Sequence, residues 1–199
     1  MKKIKILTWD ETAIPIATAE CYGINPNTPN LVQRVIKQDH LAILRHGFAS
    51  VRINGLSRVS GRQILRKAHA DYLEKSQRYC NLDNPSFILP ESIEKLKSGL
   101  GHEQALYAIV TEHLNNGIEV FKALRDHGVP KEDARYSFPQ CIETSMTMSG
   151  NFQMWWDFFN LRIDKRVQKE TRDVAIEIFE AFLERGELFS QHPKKDFVI

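Results

Sequence analysis

The chain has 199 residues, 42% of them hydrophobic and 26% charged, which suffices for a sizeable packed core and argues against disorder. Lys and Arg number 27 against 25 Asp and Glu, a net charge of +2. That balance excludes a bulk cationic field for nucleic acid, so any anion must be held by local clusters. No apolar run is long enough for a membrane-spanning helix. The start MKKIKILTWDE turns acidic too soon for a signal peptide. Cys21, Cys80 and Cys141 are odd in number and form no C-x-x-C pair, which predicts a reduced, cytoplasmic chain. Zinc-ligand spacing is absent, and no metal is expected.

In chain order, 3–8 (KIKILT) alternates and predicts a strand. Residues 14–22 read as a weaker strand or a short helix. Thr28 and Pro29 suit the cap and first turn of a helix ending near Lys37, with Leu31, Val35 and Ile36 inward. The alternation of 46–54 predicts a strand that Asn54-Gly55 closes. Ser57 can cap a helix through Val59, Gln63 and Ile64 that runs on into RKAHADYLEKSQRY (66–79). A loop follows over 81–90, then a short helix over 91–98. A long helix is predicted over 101–127, with Ala105, Ile109, Phe121 and Leu124 inward and Gly128 as its stop. Residues 138–148 read as a strand, and 152–162 and 166–185 as helices. Val174, Ile178, Phe179 and Phe182 form the apolar face of the last. Strands and long helices without a βαβ rhythm predict an α+β fold with an antiparallel sheet, as a single domain over 1–199.

The stretch 66–79 poses a spacing problem. As one helix it would separate Arg66 from Arg78 by about 18 Å, too far to hold one small ligand. Asp71, Tyr72 and Tyr79 are poor helix formers. In an extended segment Glu74, Ser76 and Arg78 point to one side. An acceptor, a small donor and a forked cation there can hold a nucleotide's sugar hydroxyl and phosphate.

Arg66, Glu74, Ser76, Arg78 and Tyr79, with Gln63 ahead of them, resemble the signature of the flavin-dependent thymidylate synthases: R-H-R, a short spacer, then E-x-S-x-R-Y. Three further blocks are similar to that family in the same order: 30–58, GVPKEDARYSFPQC (128–141), and 151–170 with its N-L-R. The resemblance implies an antiparallel sheet wrapped by helices and a homotetramer with active sites at subunit interfaces. It implies methylation of dUMP to dTMP, with carbon from the folate methylenetetrahydrofolate and hydride from NADPH through FAD. It places Gln63, Arg66, Glu74, Ser76, Gln77, Arg78 and Arg135 on the nucleotide. Arg162 falls at the pyrimidine. A guanidinium stays protonated, so Arg162 would stabilise the anion that develops on the base rather than act as a general base.

The flavin side departs from the pattern. The family's R-H-R is Arg66-Lys67-Ala68 here. Its histidine turn, H-x-[ST]-x-x-E-H, keeps His40 and His46 but has Ala42 and Arg45 between them. Its N-x-R is Asn151-Phe152-Gln153, and another family asparagine is Asp157. The cofactor-contacting positions implied are thus His40, Lys67, Ala68, Asn151, Gln153 and Asp157. Each lost charge-assisted hydrogen bond to a diphosphate costs roughly 1.5–3 kcal/mol unless Lys67, Arg45 or Arg166 compensates. Altered flavin contacts leave open a dUMP or dCMP hydroxymethylase, or a non-catalytic nucleotide-binding relative.

Plainer roles stand beside these. His40 and His46 can be ordinary hydrogen-bonded residues flanking a strand. The run Phe152, Trp155, Trp156, Phe158, Phe159 has the spacing of core or subunit interface. Cys80 can be inert packing or, without a flavin, a nucleophile on the base. Lys165, Arg166, Lys169 and Arg172 read as a solvated face paired with Asp164, Glu170 and Asp173.

Overall fold

The computed structural model describes residues 3–197. Four strands form an antiparallel sheet in the order β1-β2-β4-β3, the α+β fold expected. They are β1 (Ile4–Asp10), β2 (Phe48–Ser57), β3 (Asp71–Glu74) and β4 (Glu143–Asn151). Among the described residues eight α-helices accompany them: α1 (Ala13–Tyr22), α2 (Leu31–Lys37), α3 (Arg58–Ile64), α4 (Glu91–Glu94), α5 (His102–Asp126), α6 (Lys131–Ala134), α7 (Phe152–Arg162) and α8 (Lys169–Leu183). The chain groups into two compact units. One is Met1–Asn54, Gln63–Leu73 and Met146–Ile199; the other is Gly55–Arg62 and Glu74–Ser145.

The first unit is built on an aromatic core. Trp155, Phe158, Phe159, Phe179 and Phe182 are fully buried. Trp155 and Phe182 lie 5.1 Å apart and Phe159 and Phe179 4.8 Å apart, both tilted, as ring quadrupoles prefer. The buried Trp155 indole donates to Ala49 O at 3.2 Å, so its polar atom is satisfied. The aromatic run of α7 is therefore core: five large rings at helical spacing bury more apolar area against α8 and the sheet than a solvent-facing platform could. The second unit has a smaller core of Leu82, Phe121, Ala134 and Ile142, with Phe87, Leu124, Val129 and Phe138 against it.

Several local expectations are corrected. Of the two alternatives for 14–22, the helix is the one formed, over Ala13–Tyr22 and ended by Gly23 at φ 64°. Thr28 does not cap α2. Its hydroxyl donates to Asn25 O in a preceding turn, and Asn30 at φ 54° opens the helix instead. Asn54-Gly55 does not end β2. Gly55 takes φ 65° inside the strand and lets it bend and continue to Ser57. Ser57 does cap α3, its Oγ accepting from Ser60 N at 3.1 Å, but α3 stops at Ile64. Ala105 and Ile109 face solvent on α5, where the buried residues are Leu114 and Phe121. Gly128 at φ 88° follows the end of that helix as expected.

Candidate functional site

The stretch 66–79 is not one element. After α3 the backbone turns through His69 at φ 62°, enters β3 for four residues, and leaves it at Glu74. One more sheet bond follows, from Lys75 N to Ser145 O. Then Ser76–Cys80 closes a single turn, Cys80 N donating to Ser76 O at 3.0 Å. Ser76 Oγ also accepts from Arg78 N at 3.2 Å. The alternation of Glu74, Ser76 and Arg78 along an extended chain is therefore not realised. The hydroxyl folds the backbone into a turn, which re-aims the guanidinium.

In the first unit, Gln63, Arg66 and Arg162 come together. Arg162 ends α7 and its Nη2 donates to Gln63 O at 2.6 Å. Its Nε is buried without a partner among the described atoms. Such an unmet donor costs about 1–3 kcal/mol, so it marks a group held ready for something else. Burial, then the nearby Arg66 charge, lowers the Arg162 pKa, and Tyr72 opposes them; a guanidinium still stays charged. The Gln63 side-chain amide donates to Gln168 Oε1, while Arg66 is exposed.

Sequence reasoning gave Tyr72 no role. Its hydroxyl lies 3.0 Å from Ile64 O and 2.9 Å from Lys67 O, clamping the turn that carries Arg66 and Lys67. Burial pushes its pKa up to about 12, with Arg162 opposing, so it remains a donor at neutral pH. Its signal was its position two residues before Glu74, on the same side of a short strand. Tyr72→Phe is expected to cost about 1 kcal/mol of stability. Denaturant unfolding checks this; an unchanged unfolding midpoint would remove the clamp.

In the second unit, the Glu74 carboxylate accepts from Thr144 Oγ1 at 3.0 Å and stands 3.7 Å from Arg58 Nη1. Arg78 and Arg135 converge on Glu132, which sequence reasoning also left without a role. Arg78 Nη2 lies 3.3 Å from its carboxylate, and Arg135 Nε donates to its backbone carbonyl at 2.9 Å. Gly117 permits this arrangement. A Cβ there would stand 3.0 Å from Ser137 O, and Ser137 Oγ donates to Gly117 O at 3.0 Å, seating the Arg135–Ser137 turn on α5. Gln77 is half-buried in the same turn as Ser76. Cys80 is half-buried, its carbonyl accepting from Lys131 Nζ at 3.0 Å.

A model of the thymidylate synthase complementing protein matches residues 6–185. The chain belongs to that family. The flavin-dependent thymidylate synthase of Pyrococcus furiosus is 33% identical over 159 residues, 78% of this chain and 62% of that protein. The protein of the same name from Pyrococcus horikoshii is 33% identical over 171 residues, 83% of this chain and 67% of that protein. That from Geobacter sulfurreducens is 30% identical over 182 residues, 84% and 75%. The chain thus spans 62% of the length of the first of these relatives.

The positions that the family pattern assigns to a flavin lie in the first unit, and one pair of them, Lys67 and Asp157, is engaged with each other. Lys67 Nζ stands 3.7 Å from Asp157 Oδ2. Arg45 Nε donates to Gln153 Oε1 at 2.6 Å. Asn151 Oδ1 caps α7, accepting from Met154 N at 2.8 Å. His40 Nδ1 meets Tyr22 Oη at 2.5 Å, and His46 is exposed. Ala68 has no donor. Arg166 is bound by two nitrogens to Asp164, whose carboxyl it holds at about 2, in the solvated face expected. Two cations, a histidine and two side-chain amides remain in this set, a donor inventory that fits an anionic dinucleotide.

Proposed function

We propose that this chain transfers a one-carbon unit to C5 of a pyrimidine deoxynucleotide, converting dUMP to dTMP with methylenetetrahydrofolate as carbon donor and NADPH as reductant. The observation that carries the reading is Arg162, a guanidinium with one buried, unpartnered N–H beside a second arginine. C5 of uracil becomes nucleophilic only as negative charge develops on N3 and the carbonyl oxygens. Arg162 is a fixed cation for that charge, partly desolvated and needing little reorganisation. Gln63 orients Arg162 through its carbonyl, and Gln63 and Arg66 contact the nucleotide. From another subunit of the proposed tetramer, Arg78 and Arg135 neutralise its phosphate, exchanging the Glu132 contacts for phosphate oxygens, and Ser76, Gln77 and Glu74 serve its phosphate and sugar.

A bound flavin would supply the hydride that turns the transferred methylene into a methyl. Lys67, His40, Asn151 and Gln153 are the residues that would hold it, Asp157 would orient Lys67, and Ala68 would offer only backbone and space. The single-domain reading of 1–199, a cytoplasmic location and a homotetramer belong to the same proposal. The exposed Leu106 and Ile109 of α5 supply an apolar surface for assembly. Light scattering after size exclusion is expected to give four chains for the wild type and fewer for Leu106→Glu/Ile109→Glu.

The test is a reaction of dUMP with methylenetetrahydrofolate, with and without FAD and NADPH, read by product mass. A product heavier by CH2, formed only with both cofactors, is expected, from protein that turns yellow with FAD. A product heavier by CH2O, or a protein that stays colourless, overturns the proposal.

A further inference from the structure

Two cations flank the outward side of α7. Arg45 lies in the 3-10 turn Leu41–His46 and reaches Gln153; Lys67 follows α3 and reaches Asp157. Gln153 and Asp157 are four residues apart on one helix, so they stack on one face about 6 Å apart along the axis. The turn is fixed in place. Phe152 N donates to Gly47 O at 3.0 Å, and a Cβ at Gly47 would stand 2.3 Å from the Phe152 ring. Only glycine lets the segment after Arg45 lie this close to the start of α7.

The two cations differ in their pairing. Arg45 is exposed and spends one of its five donors on a neutral amide, so it keeps its full charge. Lys67, its side chain largely buried, is ion-paired with the half-exposed Asp157 at 3.7 Å, a contact longer than a hydrogen bond that a more highly charged anion can displace. Gln153 lies in the first turn of an 11-residue helix, whose N-terminal partial charge also favours an anion. The α7 partners of the two cations lie about one helical turn apart, a spacing that suits two linked phosphates better than one.

We propose that Arg45 and Lys67 together bind the diphosphate of the flavin dinucleotide, with Arg45 supplying the charge that positions 68 and 153 lack in this chain. The assignment rests on the flavin-dependent reading above. Arg45 binds phosphate oxygens through its terminal N–H groups while Gln153 holds its Nε. Lys67 turns from Asp157 to the second phosphate.

The test is equilibrium binding to the purified full chain, with FAD and riboflavin followed by flavin fluorescence and ADP by calorimetry. Arg45→Gln and Lys67→Gln are expected to raise the FAD Kd about tenfold or more each and to weaken ADP in parallel. Riboflavin, which has the same ring and no diphosphate, is expected to shift less than about twofold. Arg45→Glu/Gln153→Arg, which moves the cation to the facing position, is expected to recover FAD affinity to within about threefold of wild type. Circular dichroism confirms that each variant is folded. FAD bound equally well by wild type and both single variants overturns the inference and leaves the flavin reading standing, as does an equal loss of FAD and riboflavin. Wild type that binds neither FAD nor ADP overturns both. ADP binding that needs Arg45, without FAD binding, supports the diphosphate site and overturns the flavin reading.

Discussion

Arg162→Ala is expected to lower kcat for dUMP methylation by about 10²–10³-fold, the usual cost of losing a preorganised group that meets transition-state charge. The dUMP dissociation constant should rise far less. The ground-state uracil is neutral and gives the guanidinium little to bind, whereas the developing anion gives it a full charge. The side chain is set up for that difference: one nitrogen anchored on Gln63 O at 2.6 Å, another buried and unmatched. Arg162→Lys keeps the charge but loses the planar fork, so its loss should fall between wild type and alanine. Steady-state kinetics with a direct dUMP titration separate the two parameters. Equal loss of turnover and binding would show that Arg162 serves ground-state affinity instead.

The second large effect concerns stability and pH. His192 is fully buried against Trp156 and Phe179. Its Nδ1 accepts from Lys194 N at 3.0 Å and its Nε2 lies 2.9 Å from Trp156 O. That pair of contacts selects the neutral ring with the proton on Nε2, since a proton on Nδ1 would face the Lys194 N–H. Burial, helped by the Lys194 charge, pushes the pKa down to about 4 from 6.5, with the Trp156 carbonyl and Asp157 opposing. Below pH 6.5 the unfolded chain therefore binds the proton that the folded chain refuses. The contribution is fully present above 6.5 and is lost as pH falls toward 4, amounting to about 2–3 kcal/mol. Denaturant unfolding between pH 7 and pH 4 should show this slope in the wild type and a flatter one in His192→Gln. The same slope in both would assign the pH dependence to other groups.

Most of the fold was legible because it rests on local periodicity. Alternation marked β1 and most of β2, and the apolar stripe marked α8. In α7 the large rings made the core reading physically cheaper than a stacking platform. What failed depended on partners remote in sequence. The N-terminal half of α5 has apolar residues at helical spacing, but Ala105 and Ile109 find no cover among the described residues. Gly55 reads as a stop, and a left-handed residue inside a continuing strand looks the same locally. Among the candidate site residues, Arg162, Arg66 and Gln63 were named from the family resemblance, and the structure brings them together in one unit. Tyr72 and Glu132 were not, because each acts through backbone or guanidinium contacts that no pattern encodes.

The sequence alone determined the α+β class, the two motif halves around RKAHADYLEKSQRY and the family to which the chain belongs, since these follow from residue order. Only the tertiary structure decided what each charge faces. Arg78 meets Glu132 across 54 positions, and Arg45 meets Gln153 across 108. Electrostatic energy depends on distance and burial, and neither quantity exists until the chain has closed those loops.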